Sequence, residues 1–164
     1  MREICILQIS RFFRTPAFPA GSGPDFVNAA VLAETELDSA RLINVLHEIE
    51  AEMGRERQTR WGPRVIDLDL IDFDGEILPN SPEYLRWREL SPEDQQKSAP
   101  RELILPHPRV QDRPFVLVPM ADVVPNWRHP VTQTPISELL AAFSPAELAE
   151  IEPLSDVQTP LQSQ

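Results

Sequence analysis

Asp67 and Asp69 stand two residues apart in the run Arg60-Trp61-Gly62-Pro63-Arg64-Val65-Ile66-Asp67-Leu68-Asp69-Leu70, and Arg55, Arg57, Arg60 and Arg64 crowd into the ten residues from 55 to 64. The stretch Arg64 to Phe73 alternates with period two, so Ile66, Leu68 and Leu70 share one face of a predicted strand while Val65, Asp67, Asp69 and Ile71 share the other. Carboxylates two apart on a strand start about 6.6 Å from one another, close enough for both to grip one or two divalent cations. Without a counter-ion, two like charges beside apolar neighbours are costly to desolvate. Guanidinium groups suit polyphosphate, since they stay charged and bind oxygens in pairs. Acids that can hold a metal next to an arginine cluster point to phosphoryl chemistry. Spacing alone also fits a solvated strand face, and arginines alone also fit a surface patch paired with the many acids. Asp72 lies on the opposite face and reads as a strand-end solvating group.

Other polar groups stand out by context. Asn28 shares a strand face with Phe26 and Ala30, where its amide needs a partner, either a structural hydrogen bond or a ligand. His47 and Glu50 are close together on a helix surface and read by themselves as solvated. His107 is held between Pro106 and Pro108 with Arg109 and Arg113 nearby, which suits a phosphate contact as well as a surface histidine.

The elements that must position these groups follow from pattern. Ile4 to Phe12 reads as a strand, ended by a Pro- and Gly-rich flexible loop from Thr15 to Pro24, and Phe26 to Thr35 resumes strand character. Asp38 or Ser39 caps a helix with an apolar stripe of Leu42, Val45, Leu46, Ile49 and Met53, expected to be core, and Gly54 stops it. Asp74-Gly75 is a two-residue hairpin signal that makes Glu76-Ile77-Leu78 the antiparallel partner of the strand before it. Residues 79–101 read as a polar, proline-punctuated insertion outside the core, with one short capped helix at Ser91-Pro92-Glu93-Asp94. Leu103-Ile104-Leu105 leads to the turn around His107, and Phe115-Val116-Leu117-Val118 reads as an apolar strand. Helices are expected over 136–143 and 145–151. The expected organisation is one domain over 1–152 followed by a disordered tail over 153–164.

The chain has 164 residues, enough for one domain with a real core. A formal charge of −11 disfavours a general nucleic-acid binder, which needs a broad positive face. Cys5 is the only cysteine, which excludes an internal disulfide framework and a cysteine zinc site and points to a reducing cytoplasm, with the thiol inert in an apolar strand. No apolar run approaches the roughly 20 residues that cross a bilayer, and residues 1–9 lack the apolar centre of a secretory signal. A monomer without a membrane or nucleic-acid partner is the expectation.

Taken in order, Phe26-Val27-Asn28-Ala29-Ala30, Gly54-Arg55-Glu56-Arg57, the run Arg60 to Leu70, Pro106-His107-Pro108-Arg109 and Arg113-Pro114-Phe115-Val116-Leu117 resemble the 6-hydroxymethyl-7,8-dihydropterin pyrophosphokinases. The resemblance runs from about Ile9 to Pro130, interrupted by the insertion. It implies an α+β, ferredoxin-like sandwich, an antiparallel sheet with packed helices. It implies transfer of pyrophosphate from ATP to a pterin alcohol, giving AMP and the pterin diphosphate, in folate synthesis. Asp67 and Asp69 are then ligands of two Mg2+ ions. Arg55 and Arg57 belong to a mobile loop that closes over the nucleotide, with Trp61 helping it to seal. Arg64, His107 and Arg113 contact phosphates, and His47, in place of a more usual glutamine, lines the nucleotide pocket with Glu50. Phe26 and Phe115 sandwich the pterin, and Asn28 with the Thr15-Pro16-Ala17-Phe18 loop satisfies its amide-like edge.

The sequence departs from the family in lacking the opening strand, its Gly-Ser-Asn turn and the first helix, so the fold is expected to be N-terminally truncated, with unpaired backbone left at a sheet edge. That departure makes Met1 an expected internal start. It also leaves two other readings open, a non-catalytic Mg-nucleotide or pterin-binding module and an inactive fragment.

Overall fold

The computed structural model describes residues 4–17, 23–54, 66–91, 93–94 and 100–155. In chain order they form strands β1 (Ile4–Ile9), β2 (Phe13–Thr15), β3 (Phe26–Asn28) and β4 (Val31–Thr35), then helices α1 (Ser39–Met53) and α2 (Ser81–Glu89). A 3-10 turn (Val110–Asp112), helices α3 (Pro114–Val123), α4 (Ile136–Ala141) and α5 (Pro145–Ala149), and strand β5 (Glu152–Pro153) follow. The α+β class and the antiparallel pairing agree with the ferredoxin-like fold expected from the sequence. The chain divides into two compact units, one of Thr35–Pro108 and one of Arg2–Glu34 with Arg109–Gln164.

In the unit built from both ends of the chain, β1 lies beside β4, and β2 is the centre of a second sheet in the order β3-β2-β5. β2 runs antiparallel to β3 with Phe13 opposite Asn28 and Thr15 opposite Phe26, and antiparallel to β5 with Arg14 opposite Glu152. The single strand expected over Phe26–Thr35 is thus divided into β3 and β4, and the one expected over Ile4–Phe12 stops at Ile9. The hydrogen bonds there cross between loops: Ser10 N–H donates to the Ala30 carbonyl, and Ala30 N–H donates to Ser10 Oγ. Buried Ser10 therefore spends its hydroxyl on the interruption. The tail expected from residue 153 is anchored at its start, because β5 adds to β2, Arg14 pairs with Glu152 at 2.7 Å and Leu154 N–H donates to the Phe12 carbonyl.

Phe115 to Val118, expected as a strand, belongs to helix α3. Phe-Val-Leu-Val has strand composition, but Pro114 occupies the first helical turn, where its missing N–H is harmless, and Leu117, Met120 and Val123 recur at helical spacing and are buried. The Arg113 carbonyl starts the helix by accepting from Val116 and Leu117 N–H. α3 packs on β2, β3, α4 and the 3-10 turn, and Phe13, Val110, Ile136 and Ile151 complete the core of this unit. Helices at α4 and α5 match the expected positions with shorter ends, and α5 opens on a Ser144–Glu147 capping box. Cys5 lies in β1 as expected, but its residue is exposed and not lodged in apolar surroundings.

In the other unit, Asp38 caps α1 by accepting from Arg41 N–H at 2.8 Å. Gly54 ends the helix with a right-handed backbone, φ −93°, so its position does not draw on glycine's left-handed freedom. The stripe is less core than expected: Leu42 is buried, Val45, Leu46 and Ile49 are half-buried, and Met53 is half exposed. α1 is tied to the extended chain that follows it by side chains, Ser39 Oγ to Glu76 Oε2 and Glu50 to Leu68 N–H, a narrower surface than a sheet face. Within 79–101, expected as a loop-like insertion, the described residues Ser81–Glu89 form a helix. Asn80 caps α2, and Tyr84 and Trp87 are buried with Leu37, Leu42, Ile104 and Leu105. The Asp74-Gly75 turn forms as expected, with φ 50° and 71° and Glu76 N–H donating to the Phe73 carbonyl. Its second arm does not return on the first. Leu78 instead bridges antiparallel to Leu105, each N–H bonded to the other's carbonyl.

Candidate functional site

The segment carrying Asp67 and Asp69 is not a strand of a sheet among the described residues, yet from Ile66 to Leu70 it keeps the alternation expected from the sequence, which Ile71 to Phe73, all half-buried, do not continue. Ile66, Leu68 and Leu70 are half-buried, and Asp67 and Asp69 are exposed between them. Side chains and a loop hold it where a neighbouring strand was expected. Leu68 N–H donates to Glu50 Oε1 at 2.6 Å, and the Ile71 carbonyl accepts from His107 N–H at 2.8 Å. Asp72, half-buried, accepts from Gly75 N–H at 3.4 Å and so supports the turn.

Asp67 and Asp69 offer hard oxygen donors on one face. Among the described residues no group of three His, Cys, Asp or Glu side chains is placed to cage a metal. Paired carboxylate oxygens of this kind suit a hard cation such as Mg2+, which commonly takes further ligands from phosphate and water. Of the other sequence-predicted residues in this unit, His47 is exposed on α1, Glu50 is half-buried with its carboxylate on Leu68, and His107 is half-buried with its backbone tied to Ile71. Arg55, Arg57, Trp61 and Arg64 lie outside the described residues.

The second unit holds a different set. Phe26 on β3 and Phe115 in the first turn of α3 are 58% and 38% exposed, unusual for phenylalanine on elements that pack on one another. Two exposed aromatic rings on adjoining elements offer flat faces to a flat heterocycle. Asn28 Nδ2 donates to Thr15 Oγ1 at 2.7 Å, across the β2–β3 pair. The structural partner that the sequence left open is therefore Thr15, which is itself buried and whose hydroxyl braces Asn28. Pro16 is exposed beyond the end of β2, and Phe18 lies outside the described residues. Arg113, half-buried, joins the 3-10 turn to α3, its N–H donating to the Val110 carbonyl.

Two positioning features were missed by sequence reasoning. Arg11 grips Asp122 on α3 through Nε, Nη2 and its own backbone N–H at 2.9 to 3.1 Å. The guanidinium, first by hydrogen bonding and then by charge, holds the Asp122 carboxyl below the usual carboxylate range. These residues are 111 positions apart, so no local pattern reveals them. His129 is fully buried, its Nδ1 accepting from Val131 and Thr132 N–H, and it organises the turn before α4.

A family model described as 7,8-dihydro-6-hydroxymethylpterin-pyrophosphokinase matches residues 1–125. The chain is similar to the 2-amino-4-hydroxy-6-hydroxymethyldihydropteridine pyrophosphokinase of Methylorubrum extorquens, 34% identical over 149 residues, covering 91% of this chain and 80% of that protein. It is 37% identical over 140 residues to the protein of that name from Pseudomonas aeruginosa, covering 85% and 74%. With the Haemophilus influenzae protein of that name it shares 30% over 148 residues, covering 90% and 79%.

Proposed function

The chain belongs to the 7,8-dihydro-6-hydroxymethylpterin-pyrophosphokinase family, the ATP-dependent pyrophosphokinases of folate biosynthesis, and on that premise we propose a division of its residues between the two substrates. ATP is the co-substrate and Mg2+ the metal. Asp67 and Asp69 hold the metal, as two ions, against the triphosphate; their exposed placement on one face of a tethered segment is the observation that carries the reading. Bound there, Mg2+ offsets phosphate charge and favours in-line displacement at the β-phosphorus.

The chain's own groups do the rest. Arg55, Arg57, Arg64, His107 and Arg113 pair with phosphate oxygens, Trp61 helps to exclude water, and His47 and Glu50 belong to the nucleotide side. Phe26 and Phe115 stack on the pterin, with Asn28, Thr15, Pro16 and Phe18 along its polar edge. The pterin hydroxymethyl oxygen forms a bond to the β-phosphorus as the bond from that phosphorus to the α,β-bridging oxygen breaks. AMP leaves with that oxygen, and the hydroxyl proton passes to solvent. Positioning and charge carry this reaction, since no covalent intermediate on the protein is needed.

No helix of the described residues is long and apolar enough to cross a membrane. A monomer working in the cytoplasm, where ATP is supplied, completes the proposal. The test is to supply the purified protein with Mg2+, ATP and 6-hydroxymethyl-7,8-dihydropterin. AMP and pterin diphosphate are expected in equal amounts. Release of ADP, or nucleotide turnover independent of the pterin, overturns the reading.

A further inference from the structure

Leu68 is the one residue between Asp67 and Asp69, and its N–H donates to Glu50 Oε1 at 2.6 Å. Glu50 sits in the last turn of α1, where its own carbonyl accepts from Gly54 N–H. A carboxylate there opposes the helix dipole, and the last turn carries no basic residue to offset it. Glu50 is thus unfavourable for the helix that bears it, while its oxygen reaches the backbone amide midway between the two aspartates. Three residues further on, the Ile71 carbonyl accepts from His107 N–H. The segment is pinned at both ends of a very short span, and half-buried and exposed positions alternate from Ile66 to Leu70.

We propose that Glu50 is a positioning residue for metal binding, holding the Asp67-Leu68-Asp69 backbone extended through the Leu68 N–H so that both carboxylates serve one Mg-nucleotide. This rests on the reading of Asp67 and Asp69 as metal ligands and narrows the part of Glu50 from nucleotide contact to backbone support. What the role needs is an acceptor oxygen at the right reach, not a negative charge.

Three variants separate these requirements. Glu50→Gln keeps the oxygen and loses the charge, Glu50→Asp keeps the charge and withdraws the oxygen by one methylene, and Glu50→Ala loses both. Mn2+ binding is followed by electron paramagnetic resonance with a non-hydrolysable ATP analogue, and exchange of the Leu68 amide is followed by NMR. Glu50→Ala and Glu50→Asp are expected to weaken Mn2+ binding by about 10- to 100-fold, the usual loss when a ligand's support is removed, and to speed Leu68 exchange. Glu50→Gln is expected to stay close to the unaltered protein on both measures. If Glu50→Gln loses as much as Glu50→Asp, or if Glu50→Asp binds Mn2+ normally, the proposal is overturned, and the Gln and Asp pair decides this even where Glu50→Ala folds poorly. Asp69→Ala serves as the separate check on the metal assignment: unaltered Mn2+ binding in that variant overturns the functional reading itself, whatever the Glu50 variants do.

Discussion

Asp67 and Asp69 are exposed, so their replacement touches little packing and should report on chemistry. Asp69→Ala is expected to lower turnover by more than about a hundredfold, since loss of a direct ligand exceeds the loss of a supporting group. Its thermal midpoint should stay close to that of the unaltered protein, and a variant that keeps turnover sinks the metal assignment. Phe26 and Phe115 make a similar pair of tests, because both expose ring surface that the fold does not use. Stacking of a flat heterocycle on an aromatic side chain is worth about 1–3 kcal/mol. Phe26→Ala and Phe115→Ala should each raise the pterin KM by about 10- to 100-fold on that scale, with the ATP KM nearly unchanged. An effect on ATP alone would move these residues out of the pterin site. Asn28 illustrates what a residue type cannot reveal: the sequence shows that its amide needs a partner, and only the folded chain identifies the Thr15 hydroxyl.

Helix α2 shows how local signals lose their meaning when read as composition. Residues 79–101 are rich in proline and charge, which favours a loop, yet Asn80-Ser81-Pro82-Glu83 contains a cap, an early-turn proline and an acid in the first turn. Tyr84 and Trp87, three apart on that helix, are its buried face. Glu83 accepts from Trp87 Nε1 at 2.9 Å and from Arg86 Nε at 3.0 Å, so the polar neighbours support the helix and not a solvated loop. Tyr84→Ala should therefore destabilise the protein by about 3–5 kcal/mol, the usual range for a large buried aromatic, and Asn80→Ala by about 1 kcal/mol through loss of the cap. Urea unfolding midpoints that stay put in both variants would return the segment to the surface. Helix α3 makes the converse point. Four apolar residues after Pro114 suit a strand by composition, and only the longer span to Val123 brings out the helical recurrence.

Across the molecule, the family match over residues 1–125 takes in all of one unit and a part of the other, so family membership does not depend on a single motif. The two chain ends are joined within their unit by Arg11 and Asp122, with part of the Asp122 side chain shielded from solvent. Because the folded Asp122 carboxyl titrates below its unfolded value, the unfolded chain holds the proton more tightly. The stabilisation is present above the unfolded pKa of about 4 and is lost as pH falls through the folded value. Arg11→Ala should lower stability by no more than about 1 kcal/mol at neutral pH, given the exposed arginine. Denaturant midpoints for the two proteins should converge as the pH is taken below that of the folded carboxyl. A gap that persists undiminished in acid would mean that Arg11 acts through packing, for instance over the Phe13 ring 5.2 Å away.

Composition, period and order of motifs determined the chemistry of this chain. Asp67 and Asp69 alternate with apolar residues, arginines precede them, and Asn28 and His107 sit in short motifs with aromatic and proline neighbours, all of which are properties of neighbours along the backbone. The α1 cap at Asp38 and the turn at Asp74-Gly75 were legible for the same reason, since caps and tight turns are decided by a few consecutive residues. Tertiary structure alone decided which partner each backbone group took. Leu68 N–H went to a carboxylate 18 residues away, Leu78 paired with Leu105 instead of closing a hairpin, and Glu152 and Pro153 joined β2 from near the far end of the chain. Such choices turn on competition among distant donors and acceptors that must all be satisfied together on burial, and that competition leaves no local mark in the sequence.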